Sequence, residues 1–439
     1  MGNRRRAPRP FAVAFGLFVA EVLVCVYWIV SPTPVWFPDS PMYEAIGANL
    51  AAGHGYSVDL RPPYRPEITR TPVVPYLVAG VYSVVGRRPA AVVWLNALWV
   101  AGAVAVGYLV LLRLSRDPAV AASGGAVAVL TPFIGGSAAT IATEPVAMLQ
   151  VTLAAWLLLR WREEARRKSA ALRGALIGLL LASVVLNRVN LAPAVAVGAL
   201  FFVGTAFRAV PRRPIAWVVN VAFALALVGP VVLWSARNAS VGLRFSPAPV
   251  GLSASRVHDI VRYREAILGE EPFGPPPANV RYFRHWRERY GPEDLLVLER
   301  ENRAWLEGFL AEHGGKVLQA MPARLVGLFS SSTVWTYPFE DPTGERFPGP
   351  VLRWVSRGLW TLSFLGFLAL WSNRTARWVW LVPVVTLVPV HLMTVCSPRY
   401  MRVLMPLLLP YGGAFLVPLG RRLMSVGVRG HAAPLGRGA

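Results

Sequence analysis

Five charged side chains stand at the ends of long apolar runs, where a chain of this kind has no packing use for them. Asp39 lies just beyond the first run and Glu144 opens the fourth in Thr143-Glu144-Pro145; Arg188 closes the fifth, Arg237 closes the seventh and Arg399 precedes the tenth. A charge at or inside hydrocarbon costs about 3 kcal/mol or more and is retained mainly for function. A carboxylate there can accept a proton from a hydroxyl, and guanidinium groups pair with phosphate oxygens. At one depth, the set would serve a phosphate leaving group and a hydroxyl nucleophile. Each charge alone also reads as a helix-end residue reaching for the interface. Asp39 alone also reads as the N-cap of a helix opened by Ser40-Pro41. Their common sidedness favours the site.

The elements that must hold them are helices in a bilayer. The chain has 439 residues, 55% hydrophobic and only 15% charged. Crossing hydrocarbon takes about 20 apolar residues in a helix. About ten stretches approach or reach that length: 11–31, 90–112, 118–138, 145–161, 172–188, 191–207, 215–235, 350–371, 377–396 and 403–420. The expected fold is an all-α polytopic membrane protein of about ten transmembrane helices, with a large first outer loop and a helical outer segment.

Arginine fixes the orientation through the positive-inside rule. Basic clusters at 4–6, 113–116, 160–168, 208–213, 374–377 and 421–422 all fall on one side if the termini are cytoplasmic and 72–86 does not cross. That short stretch, with Pro72 and Pro75, is therefore read as interfacial or re-entrant. The division that follows is an N-terminal transmembrane module 1–235 with a first outer loop 32–89, an extracytoplasmic helical segment 236–349, C-terminal spans 350–420 and a cytoplasmic tail 421–439. The first run, basic at its start and without a small-residue cleavage signal, reads as a retained anchor. Function belongs in the two outer segments and the span ends that face them. Within 281–290, arginine alternates with aromatic residues, a pattern that suits headgroups or sugars and equally a solvated helical cap.

The formal charge of +22 is accounted for by the inner arginines, so nucleic acid is not an expected partner. Cys25 and Cys396 are too far apart in sequence to suggest a disulfide framework. His54, His258, His285 and His313 are isolated, and no metal-ligand spacing is present. There is no glycine-rich nucleotide loop. The sequons at Asn238 and Asn373 read as chance matches. Glu21, inside the first span, has no role in this scheme beyond facing a polar groove between helices.

The charged residues also carry a resemblance. Phe37-Pro38-Asp39-Ser40-Pro41-Met42-Tyr43, Thr69-Arg70-Thr71-Pro72-Val73-Val74-Pro75-Tyr76, Thr143-Glu144-Pro145, the segment 178–188, Trp234-Ser235-Ala236-Arg237-Asn238 and Arg399-Tyr400 with Pro406 follow one another in this order. Over nearly its whole length the chain resembles the bacterial GT-C superfamily, which includes protein O-mannosyltransferases, the aminoarabinose transferase of lipid A and the RgtA/B/C/D-like transferases. The resemblance implies Asp39 as the general base and Glu144 as the second acidic residue, where many relatives have Asp. It gives Arg70 the phosphate-gripping role, although Arg70-Thr71-Pro72 matches the basic-Pro-Pro signature only in part. Arg188, Arg237 and Arg399 would share that role, with Tyr43 and Tyr400 in the substrate-binding set.

The implied donor is a polyprenyl-phosphate-linked sugar, and the implied acceptor is a hydroxyl of a cell-envelope glycan, lipid or protein on the outer face of the plasma membrane. Transfer would proceed by inverting displacement, with no cofactor and no divalent metal. The other readings are a multi-spanning transporter or flippase of lipid-linked or small polar substrates, and a non-catalytic assembly factor. The gathering of polar groups at one face, without a half-to-half repeat, disfavours transport.

Overall fold

The computed structural model describes residues 10–30, 39–164, 169–210, 213–250, 256–257, 267, 292–330, 349–393 and 397–430. The basic runs 4–6 and 165–168, Arg212, Phe37, Pro38, the stretch 281–290, His258, His285 and Cys396 lie outside these residues. Among the described residues every regular element is helical.

The membrane bundle comprises α1 (Pro10–Ile29), α4 (Pro89–Ser115), α5 (Pro118–Val129), α6 (Pro132–Gly135), α7 (Thr143–Glu164), α8 (Ala170–Asn187), α9 (Ala192–Ala209), α10 (Arg213–Ser240), α13 (Gly349–Ala369), α14 (Arg374–Met393) and the C-terminal α17 (Gly412–Gly430). Several helices begin where proline costs nothing, since the first-turn N–H has no intrahelical partner. Pro89 and Pro118 open α4 and α5, and Asp117 caps α5 by accepting from the Ala119 amide at 2.8 Å.

Among the described residues six helices are long and apolar enough to cross a membrane by themselves, and α5 with the turns after it makes a seventh, bent by 56°. The tenth expected span is not one helix. Residues 399–411 form α15 (Arg399–Arg402), α16 (Met405–Leu408) and a 3-10 turn, and only then does α17 begin. Pro406 and Pro410 remove ladder donors and crowd the preceding turn. Neighbouring side chains satisfy the backbone groups set free, as hydrocarbon requires: Ser363 Oγ donates to the Leu408 carbonyl at 2.8 Å, and Trp380 Nε1 donates to Ser363 Oγ at 3.1 Å.

This broken segment threads the middle of the bundle through glycine notches. A methyl group at Gly107 of α4 would overlap the Pro406 carbonyl, and one at Gly366 of α13 would overlap that of Tyr411. Gly366→Ala is expected to cost about 1–3 kcal/mol through overpacking, read as an earlier thermal unfolding transition in detergent. Melting at the wild-type temperature would contradict so close an approach.

The two ends of the bundle are chemically distinct. At one end Asn96 and Asn187 donate to the Thr140 and Thr143 carbonyls, and Asn190 lies 2.8 Å from His391. At the other, Arg113 pairs with Glu163 at 2.6 Å and Asn373 donates to the Leu114 carbonyl. Helices α4, α7 and α9 run from the first end to the second, and α8, α10 and α14 return.

Glu21 faces the bend after α5, beside Gly135 and Trp28. It is fully buried, with the Cys25 thiol 3.8 Å away and Oε2 without a hydrogen-bond partner. The expected polar groove is absent at this point.

Residues 39–88, which follow α1, cover the first end with α2 (Ser40–Ala51) and α3 (Val73–Val85). Thirteen residues of helix span about 20 Å, short of the roughly 30 Å of hydrocarbon. Helix α3 packs on α2 through Val74, Val78, Tyr82 and Tyr43. Arg87, just past its end, pairs with Glu44 of α2 at 2.8 Å. Beyond α10, α11 (Pro292–Gln319) leads into α12 (Met321–Leu328), which packs against α14 and α15.

Candidate active site

Asp39 sits at the N-cap position of α2, yet its side chain caps nothing. Only its carbonyl serves the helix, accepting from the Met42 and Tyr43 amides. The carboxylate instead takes two arginines: Arg70 Nη2 lies 2.7 Å from Oδ1 and Arg399 Nη1 lies 3.2 Å from Oδ2. Arg399 also donates from Nε to Glu144 Oε1, which Arg188 Nη2 approaches to 3.5 Å. Asp39, Arg70, Glu144, Arg188 and Arg399, drawn from four separate parts of the chain, thus form one connected cluster.

Each member is placed by structure beneath it. The Tyr56 hydroxyl donates to the carbonyls of Arg70 and Thr71, and Thr71 Oγ1 donates to the Asn187 carbonyl. This ties the loop carrying Arg70 to the end of α8. Arg188 is the residue at which α8 stops, its backbone extended at φ −146°. Glu144 lies in the first turn of α7, where the helix dipole favours an anion. The proline-broken segment delivers Arg399 and Tyr400. Tyr43 lies beneath Arg70, with the guanidinium 5.8 Å from its ring centre, and Tyr400 lies 5.2 Å beneath Arg188.

Burial pushes the Asp39 carboxyl upward, and Glu144 adds to that. Attraction to Arg70 and Arg399 outweighs both and holds it below the usual carboxylate range. Burial raises the Tyr43 phenol to about 12, so it remains a hydrogen-bond donor at neutral pH.

Three arginines face two carboxylates, leaving the cluster one positive charge in excess. Its donors are not all used: Arg188 Nη1 and Arg70 Nε are buried without a hydrogen-bond partner, as is Ser40 Oγ. Such groups are costly to bury unpaired. An anion with several oxygens fits their number and type.

Arg237, assigned to the same set in the sequence, lies apart from it. Its guanidinium stacks 4.9 Å from the Tyr56 ring and 5.0 Å from that of Trp234. Tyr56 connects it to the backbone of Arg70, so it borders the cluster without joining either carboxylate. Sequence reading missed His391, which is buried, stacks on Tyr400 at 4.3 Å and meets Asn190. It also missed Arg402, buried three residues after Arg399 with its guanidinium over Phe133. The one-turn spacing from Arg399 was a usable signal for Arg402. His391 offered none, because it belongs to a different helix from Tyr400.

Fold and site together define a polytopic helical membrane protein with an arginine–carboxylate centre at one end of its bundle. Residues 69–234 match the family model described as dolichyl-phosphate-mannose-protein mannosyltransferase. That stretch contains Arg70, Glu144 and Arg188. No curated protein gives a match.

Two solved structures are similar. One is the archaeal oligosaccharyltransferase AglB from Archaeoglobus fulgidus in complex with an inhibitory peptide and a dolichol-phosphate: 11% identity, TM-score 0.44, 97% of this chain and 52% of that chain covered. The other is ArnT from Cupriavidus metallidurans bound to undecaprenyl phosphate: 16% identity, TM-score 0.38, 94% and 79% covered. The chain thus spans about half the length of the archaeal protein.

Proposed function

We propose that this protein is a membrane glycosyltransferase that moves a sugar from a polyprenyl-monophosphate carrier to a hydroxyl of a cell-envelope glycan, lipid or protein. The reaction takes place on the outer face of the plasma membrane. The observation that carries this reading is the excess of guanidinium over carboxylate around Asp39, with buried N–H donors on Arg70 and Arg188 lacking acceptors.

In the proposed reaction the acceptor oxygen attacks the anomeric carbon while Asp39 removes its proton. The bond from the anomeric carbon to the phosphate oxygen breaks, and the phosphate leaves into the grip of Arg70, Arg188 and Arg399. One base and no enzymic nucleophile give inversion. A carboxylate gripped by two arginines is a weak base. The donor phosphate competes for those same arginines, so its arrival loosens Asp39 and raises its basicity where the proton must be taken. Glu144 holds Arg188 and Arg399 in place, and the aromatic faces around Arg237 offer a surface on which a sugar ring can pack. Guanidinium groups meet the charge of the leaving phosphate, so the proposed reaction is independent of a divalent metal.

The test is transfer by purified protein from a radiolabelled panel of polyprenyl-phosphate sugars, with and without chelator. Turnover that survives chelation supports the reading. Failure with every donor, together with substrate-dependent flux in proteoliposomes, would favour a transporter. Within an active assay, Arg399→Gln is expected to lower kcat/KM by about 10²–10³-fold, the cost of losing a donor to the leaving charge. Arg237→Gln, outside the cluster, is expected to cost less than about tenfold on the same footing. Equal losses would put Arg237 among the phosphate ligands after all.

A further inference from the structure

The bundle contains a second feature that the proposed reaction does not use: a cavity of about 1310 Å³ between α4, α7, α9 and α14. Its walls are apolar along most of their length, with Leu158 of α7, Val195 and Phe201 of α9 and Trp378 of α14 among them. It closes against Leu404 and Leu407 of the broken segment. Membrane-protein interiors, like others, are close-packed, and this space exceeds the roughly 300–1,000 Å³ of ordinary small-ligand pockets.

The polar residues of its lining are concentrated at the end remote from Asp39. Arg113 in the last turn of α4 and Arg116 just past its end, Arg208 in the last turn of α9 and Arg374 at the start of α14 converge there. Glu144 and Glu163 mark the two ends of α7, and 19 residues of helix separate them by about 29 Å. The basic mouth and the catalytic cluster therefore sit at opposite faces of the bilayer. Glu163 pairs with Arg113. Arg116, Arg208 and Arg374 have no acidic partner among the described residues. A topological bias toward arginine explains cations anywhere on this face, but not four of them, from three helices, at the rim of a single apolar cavity.

We infer that this cavity binds an anionic diacyl phospholipid of the leaflet opposite the catalytic cluster, with its headgroup phosphate among Arg116, Arg208 and Arg374 and its chains along α7 and α9. Basic pockets between transmembrane helices on the cytoplasmic side take anionic headgroups by this chemistry. A polyprenyl phosphate held at Arg70, Arg188 and Arg399 would bring only hydrocarbon here and leave the basic mouth unpaired. The inference does not depend on the reaction proposed above.

The test is native mass spectrometry of the purified protein titrated with phosphatidylglycerol, phosphatidylcholine or undecaprenyl phosphate. Wild type is expected to hold one phosphatidylglycerol at least about tenfold more tightly than phosphatidylcholine, given three converging cations. The Arg116→Gln, Arg208→Gln, Arg374→Gln triple variant is expected to lose that preference. Thr205→Trp, which fills the cavity one turn before Arg208 without altering charge, is expected to lose the bound lipid, and guards against a misfolded triple variant. Unchanged preference in both variants would overturn the inference. So would one-for-one displacement of phosphatidylglycerol by undecaprenyl phosphate, since the cavity would then belong to the carrier.

Discussion

Asp39→Asn is expected to lower transfer by about 10²–10⁴-fold, the usual contribution of a positioned general base, while leaving a folded protein. The substitution keeps the shape of the side chain and one acceptor oxygen, which can face one of the two arginines, and it removes the basic carboxylate that takes the acceptor proton. It also adds one positive charge to a cluster already in excess by one, so binding of an anionic donor should be maintained or tightened. Lost turnover with retained donor binding is the signature of a base; loss of both would make Asp39 a binding residue. Acid supplies a second reading of the same group. Arg70 and Arg399 hold the carboxyl below its ordinary value, so in the donor-free protein Asp39 stays ionised through the usual carboxylate range near pH 4. The acid limb of kcat/KM, which reports the free enzyme, is therefore expected below that range. Its stabilising ion pairs are fully present above the unfolded-state value and are lost as pH falls through the lower folded one.

Glu144→Ala is expected to be the most destabilising single change in the site, by about 3–5 kcal/mol. The Glu144 and Arg188 side chains are 2% and 5% exposed, and Arg188 and Arg399 both rely on this carboxylate. Removing it strands buried positive charge, a cost far beyond the net worth of the ion pair. Glu144→Gln, which retains volume and an acceptor oxygen, should lose less. Thermal unfolding of the two variants in detergent measures the difference. If Glu144→Ala melts with wild type, the arginines have another counter-charge and Glu144 has only a local role.

Much of the site was legible because polar residues at the edge of hydrocarbon are expensive and therefore conspicuous. Asp39, Glu144, Arg188 and Arg399 could be placed at one depth by counting spans, and their side chains meet. The same signal brought in Arg237, whose guanidinium turns to Tyr56 and Trp234. The end of a helix sets the depth of a side chain but not its azimuth. Capping was a sound expectation for Asp39 from local chemistry, and two arginines distant in sequence won the carboxylate. The broken tenth segment was less readable. Pro230 of α10 and Pro383 and Pro389 of α14 sit inside continuous helices, so proline in an apolar run does not by itself announce a break. At 399–411 the decisive factors are Ser363, Trp380 and the notches at Gly107 and Gly366, which no local window contains.

The contact between Asp39 and Arg399 joins residues 360 positions apart. At translation rates of roughly 5–20 residues per second, Asp39 leaves the ribosome about 20–70 s before its second partner is made. For that interval Asp39 and, later, Glu144 must wait beside the nascent bundle without Arg399. The centre can be completed only as the last spans are inserted, so a chain stalled before residue 399 would be membrane-integrated and catalytically silent.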